Sequence, residues 1–378
     1  MSENRSIVSS GNELVAKAAA ECGCRFFGGY PITPSSEIMH ELSTALPKLG
    51  GVCMQMEDEI ASISSALGAS MSGVRAMTAS SGPGISLKAE QVGLGFITEV
   101  PLVIVNVMRG GPSTGLPTRV QQSDIGFAKH PTHGDYNSIA IAPANLEECY
   151  LLTIKAFNLA DRFMQPVFLL LDETVAHMKG KAHLPSLEDV EKMIVPRRAK
   201  DVDPSEYFPY EAEQDEPATL NPMFKGYRYH FTGLHHDKLG FPTEDAETCD
   251  KLIKRLHNKV NMHTDEIDMY KEYELENAKV LMMAYGSTAR SAEAALLELK
   301  EEGIDVGLFR FISLWPSPKE KIKELASRFD KILIIELNMG QYCEEVQRVT
   351  GKEYETLLKA NGRPITPIEI KQKIKEMI

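Results

Sequence analysis

From the N-terminus to about residue 172, continuous apolar runs of β type alternate with helical patterns. The runs cover residues 25–28, 52–56, 74–79, 101–107, 138–141 and 166–171, and the helical stretches cover 13–22, 35–46, 57–71, 85–98 and 146–161. A strand that is apolar on both faces must be covered on both faces, and helical crossovers in a parallel sheet do this. A second alternating block has strands at 280–284, 306–311 and 332–337 and helices at 288–301, 318–329 and 342–349. The fold class is therefore α/β, with a larger domain over residues 1–184 and a smaller one over 279–378. Residues 185–278 lie between them. They start as a proline-rich, acidic arm that wraps the surface and continue into a polar helix, with Glu244 and Asp245 in its first turn.

Charge and cysteine usage narrow the function. A net charge of −12 argues against broad contact with nucleic acid or an anionic membrane. The start MSENRSIVSSGNELV lacks a basic region followed by an apolar stretch, and the apolar runs are too short to span a bilayer, so a soluble, cytoplasmic protein is expected. Six scattered cysteines make neither a disulfide framework nor a cluster-binding CxxCxxC run, and the ten histidines form no HExxH. Iron–sulfur centres serving redox chemistry would sit on another chain.

In an open parallel sheet, ligands bind outside the carboxyl ends of the strands. After the first strand comes Tyr30-Pro31-Ile32-Thr33-Pro34, where Thr33 reads as a helix N-cap with Pro34 at the first helical position. After the second come Glu57, Asp58 and Glu59. The first two suit the helix dipole, whereas Glu59 precedes a small, apolar helix, IASISSALGASM, against which its carboxyl is packed. The third strand ends in Ser80-Ser81-Gly82-Pro83-Gly84, where glycines permit close backbone approach. The fourth runs into Met108-Arg109-Gly110-Gly111-Pro112-Ser113-Thr114, within a long loop from 108 to 137. An arginine leaving an apolar strand there suits bidentate carboxylate recognition. Gly134-Asp135-Tyr136-Asn137 lacks the second half of the GDG…NN magnesium–diphosphate motif.

Together, YPITPSSEI, MEDEIASISSALGAS, SSGPGISLKAE and MRGGPSTGLPT resemble the alpha subunits of the 2-oxoacid:ferredoxin oxidoreductases, in the form found in 2-oxoglutarate synthases. The resemblance continues through TGLHHDKLGFPT, FRFISLWP and ELNMGQ. It implies a parallel-sheet domain that binds the pyrimidine of thiamine diphosphate and a smaller domain like the C-terminal domain of transketolase. A beta subunit would carry the Mg2+ and diphosphate site and a [4Fe-4S] cluster, in an (αβ)2-type hetero-oligomer that uses coenzyme A and reduces ferredoxin. Glu59 matches the glutamate that activates the cofactor by hydrogen-bonding its pyrimidine ring nitrogen. Thr33 and Arg109 match the positions that hold the 2-oxoacid carboxylate, Thr114 lines the side-chain pocket, and Pro31 and Ile32 flank the cofactor. The loop resembles the 2-oxoglutarate branch. The second carboxylate of that substrate calls for another cation, with Arg119, Lys129, His130 and His133 nearest in sequence and the beta subunit as the other source. Two alternatives stand beside this reading: a beta-type subunit of a lipoate-linked 2-oxoacid dehydrogenase complex, and a noncatalytic scaffold subunit.

Overall fold

A computed structural model describes residues 5–378. In chain order the strands are β1 (Arg5–Ser10), β2 (Cys24–Gly29), β3 (Val52–Gln55), β4 (Arg75–Ser80), β5 (Leu102–Met108), β6 (Ile139–Ile141), β7 (Pro166–Asp172), β8 (Lys179–Leu184), β9 (Tyr270–Tyr273), β10 (Val280–Ala284), β11 (Val306–Phe311), β12 (Ser313–Trp315), β13 (Ile332–Glu336) and β14 (Glu355–Leu358). The first half also forms helices α1 (Gly11–Glu21), α2 (Ser36–Lys48), α3 (Glu59–Met71), α4 (Pro83–Leu87), α5 (Ala89–Ile97), α6 (Ile125–Lys129) and α7 (Leu146–Phe163).

The larger sheet has seven strands in the order β12-β6-β7-β5-β4-β2-β3. Its period of two explains how both faces are filled. Val103, Val105 and Val107 of β5 pack with residues of α1, α2 and α7, whereas Leu102 and Ile104 pack with residues of α3, α5 and the second domain. Strands β5 and β7 are buried along their whole length. The chain moves outward from β2 to β3 and then returns to β4 on the other side of β2. The strand order thus reverses beside β2, where crevices open at the carboxyl ends. A five-stranded sheet, β14-β13-β10-β11-β9, forms the second layer system, parallel except for β9.

Several expectations need correction. Strand β12 leaves the second domain and joins the edge of the first sheet, antiparallel to β6, so that sheet is not purely parallel. Strands β1 and β8 form a separate antiparallel pair. The expected helix over 85–98 is two helices, α4 and α5. Asp245 is the N-cap of the helix Ala246–Asn261, its carboxylate accepting from Thr248 N at 2.9 Å, and Glu244 lies ahead of the helix rather than in its first turn. Asp58 caps α3 through Ala61 N, which leaves Glu57 outside that helix. No helix among the described residues is long and apolar enough to cross a membrane.

Candidate functional site

Four turns meet at the carboxyl ends of β2, β3, β4 and β5. The turn after β2 departs from expectation. Thr33 is not an N-cap: α2 begins at Ser36, and the Thr33–Pro34 peptide is cis. Ser35 N and Oγ both donate back to Ile32 O, at 2.9 and 3.0 Å, while Pro34 O accepts from Asn12 Nδ2 rather than from a helical N–H. These bonds make a separate turn, which leaves Pro31 and Thr33 exposed and Ile32 half-buried.

Arg109 leaves β5 and is only 5% exposed. Its Nη1 donates to Thr33 O at 2.6 Å, so two of the expected site residues are in contact. Its Nε is buried without a hydrogen-bond partner. Asp124, nearly buried, has its carboxyl pushed up by desolvation, against which Asn106, Ser123 and the Arg109 charge act. Asn106 Nδ2 donates to one oxygen of Asp124 at 3.0 Å, and Ser123 Oγ lies 3.2 Å from the other.

On the other side stands Glu59, 6% exposed at the head of α3. Its carboxylate has no hydrogen-bond partner among the described residues. Lys88 lies beneath it, fully buried, donating from Nζ to Glu59 O and Thr78 Oγ1, both at 3.1 Å. Burial pushes the Lys88 ammonium down to about 8, while the Glu59 and Asp58 carboxylates act in the opposite direction.

The turn after β4 joins the two sides. Gly82, at φ +47°, lies in the left-handed region, and a Cβ built there would stand 3.4 Å from Arg109 Nε. A Cβ at Gly84 would stand 2.7 Å from Glu59 Oε1 and collide with Ser80 Oγ. The turn thus runs between the guanidinium and the carboxylate; glycine at 84 leaves the carboxylate in place, and glycine at 82 accommodates the positive φ. Ser80 Oγ and Ser81 Oγ are buried without partners.

Thr114 is brought no closer; it is exposed on the loop, and neither Arg109 nor Glu59 bonds to it. The loop cations also separate. Lys129 pairs with Glu345 Oε2 at 2.7 Å and lies over the Trp315 ring, the stem of Arg119 stands against Gly362, and His133 lines a different cavity with His235. Lys88, Asn106, Ser123 and Asp124 are site neighbours that sequence reasoning missed; a lysine among the small and apolar residues of 83–97 was the available signal.

Residues 17–255 match the family described as pyruvate flavodoxin/ferredoxin oxidoreductase, thiamine diP-bdg. Residues 278–370 match pyruvate:ferredoxin oxidoreductase core domain II. The chain belongs to the 2-oxoacid:ferredoxin oxidoreductase family. Within that family it is 43% identical to the 2-oxoglutarate synthase subunit KorA of Methanothermobacter thermautotrophicus, over 97% of each chain. It is 33% identical to the ketoisovalerate oxidoreductase subunit VorB of the same organism, over 97% of this chain and 96% of that one. Among solved structures, a 2-oxoglutarate:ferredoxin oxidoreductase from Magnetococcus marinus, with 2-oxoglutarate, coenzyme A and succinyl-CoA bound, superposes with a TM-score of 0.93 at 33% identity. That match covers 98% of this chain and 65% of the other. A split gene transketolase shares the fold, at TM-score 0.54 and 14% identity over 97% of both chains. Membership in a ferredoxin-linked family sets aside the lipoate-linked alternative.

Proposed function

We propose that this chain is the alpha subunit of a 2-oxoglutarate:ferredoxin oxidoreductase. In the oxidative direction the enzyme converts 2-oxoglutarate and coenzyme A to succinyl-CoA and carbon dioxide and passes the electrons to ferredoxin; the reverse, carbon dioxide-fixing direction uses the same groups. The observation that carries the reading is the turn Ser80–Gly84, which places an unpartnered carboxylate, Glu59, and an unpartnered guanidinium nitrogen, Arg109 Nε, on either side of a glycine cradle. Relatives at 43% and 42% identity named 2-oxoglutarate synthase subunit support the substrate.

The cradle suits thiamine diphosphate, because Gly84 leaves room beside Glu59 and two orphaned serine hydroxyls await a polar ligand. Bound thiamine supplies the nucleophilic carbon and electron sink that decarboxylation of a 2-oxoacid requires. Glu59 exchanges a proton with the pyrimidine ring nitrogen, and Pro31 and Ile32 flank the ring. Arg109 and the Thr33 turn bind the 2-oxo carboxylate, a charge-assisted contact in a buried setting. Thr114 borders the side-chain pocket. A beta subunit brings Mg2+, the diphosphate site and a [4Fe-4S] cluster and covers the cradle, with ferredoxin as electron acceptor in an (αβ)2-type assembly. Tyr30, Met54, Ile60 and Leu87, each at least 40% exposed, lie at or next to the turns after β2, β3 and β4 and form the apolar surface that such a partner buries.

The test is viologen reduction by the assembled complex, comparing kcat/KM for 2-oxoglutarate, pyruvate and 2-oxoisovalerate. 2-Oxoglutarate is expected to lead. A tenfold advantage for either of the others, about 1.4 kcal/mol in transition-state binding, would overturn the substrate assignment.

A further inference from the structure

We propose that Gln341, in the second domain, is a positioning residue for Arg109. The proposal rests on the reading of Arg109 as the group that binds the 2-oxo carboxylate. Arg109 is followed at once by Gly110 and Gly111, which leave its backbone little intrinsic restraint. The loop's own bonds, Leu116 N to Gly110 O at 2.7 Å and Gly110 N to Arg119 O at 3.2 Å, tie the loop to itself but not to the rest of the protein.

The second domain supplies that anchor. Gln122 N donates to Leu337 O at 2.9 Å, Leu337 N donates to Gln122 Oε1 at 3.0 Å, and Asn338 Nδ2 donates to Gln122 O at 2.8 Å. Asn338 Oδ1 then accepts from Gly340 N and Gln341 N, at 2.7 and 3.0 Å, and so fixes the turn that presents Gln341. The Gln341 amide grips the end of the loop at two points. Its Nε2 donates to Ser123 O at 2.7 Å, and its Oε1 accepts from Gly126 N at 2.9 Å. Ser123 Oγ in turn donates to Arg109 O at 2.5 Å.

The chain of contacts is thus Gln341, Ser123, Arg109. It ends on the backbone of the residue whose side chain spans from Thr33 to Gly82. An amide is required at its start, because one atom must donate while the other accepts; a carboxylate would set an oxygen against Ser123 O. A shift of about an ångström in a substrate-orienting group is enough to change catalysis or binding substantially.

The experiment measures viologen reduction at saturating coenzyme A by assembled complexes carrying Gln341→Ala, Gln341→Glu, Ser123→Ala, the Ser123→Ala/Gln341→Ala pair, or Arg109→Ala. Gln341→Ala and Ser123→Ala are each expected to raise KM for 2-oxoglutarate and pyruvate alike by about tenfold, with kcat held within about threefold, the pattern of lost uniform binding. The double variant is expected to be no worse than the weaker single one, because both break the same chain. An unchanged KM in Gln341→Ala, a loss confined to kcat, or additive KM effects would each overturn the proposal. Should Gln341→Ala fail to assemble, Gln341→Glu and Ser123→Ala decide by the same criteria. Arg109→Ala separates the two levels. If it leaves KM unchanged, the reading of Arg109 falls and takes the positioning role with it. If it raises KM while Gln341→Ala does not, only the positioning role falls.

Discussion

Glu59 and Glu57 are two residues apart and sit in different surroundings, which makes them a sharp test of the site. Glu57 is exposed and precedes α3, while Glu59 is buried against the cradle. Glu59→Gln keeps the shape but cannot exchange the same proton, so turnover of the assembled complex should fall by about a hundredfold or more. Glu57→Gln should stay close to the parent. Equal losses in folded complexes would show that the wrong carboxylate has been chosen. Gly84 offers a second check on the same carboxylate. A methyl group there must displace Glu59 Oε1 or Ser80 Oγ, so Gly84→Ala should weaken thiamine diphosphate binding as well as slow turnover. Titration of cofactor into the stripped complex measures this, and an unchanged dissociation constant would remove the cradle from the cofactor site.

At the scale of elements, the polar helix Ala246–Asn261 is anchored by charge. Glu99, at the end of α5, is fully buried and pairs with Arg255 at 2.5 Å and Lys259 at 3.0 Å. Both cations lie on one helical face, four residues apart, and are buried rather than solvated. Glu99→Ala strands two cations in a dry interface, a loss of about 3–5 kcal/mol that thermal unfolding should report. The sign of its pH dependence follows from Lys259, whose ammonium burial pushes down from 10.5 to about 8. Between those values the unfolded chain binds more protons than the folded one, so this lysine's contribution to stability rises as pH increases through the window. The penalty of Glu99→Ala should therefore be smaller at about pH 9.5 than at about pH 7, because Lys259 sheds its proton while Arg255 does not. A penalty that grows with pH would contradict the burial of an ionised Lys259.

The two domains are joined by buried polar bonds. Arg310 of β11, 1% exposed, pairs with Glu148 of α7, and Asp172 at the end of β7 accepts from Ser287 N at 2.7 Å. The six cysteines are free, four of them buried, and no group of three or more histidine, cysteine or carboxylate side chains among the described residues could hold a metal ion. On the proposed division of labour with a beta subunit, the chain purified without a partner should contain no iron and turn over no 2-oxoacid. Elemental analysis and a viologen assay on the single subunit check this, and turnover by the chain alone would refute the division of labour.

The sequence by itself determined the strand–helix alternation, the burial of β5 and β7, and the positions of the turns that carry Thr33, Glu59 and Arg109. Those features are written in short-range patterns: an apolar period, a glycine turn, a charge at a strand end. Motif order also pointed to the family. What the sequence did not reveal depends on residues far apart in the chain. The pairing of β12 with β6, the ion pair between Glu148 and Arg310, and the reach of Gln341 to Ser123 have no local signature. Thr33 read as a cap because Thr-Pro suits a helix start, yet Asn12 Nδ2 takes the Pro34 carbonyl from a different element. Lys88 carries a charge into the core beneath Glu59 only because the junction of α4 and α5 stands against the head of α3 and Thr78 of β4. Local patterns record what each segment buries; only the assembled fold decides which buried polar groups find one another, because that requires backbones distant in sequence to stand within about 3 Å.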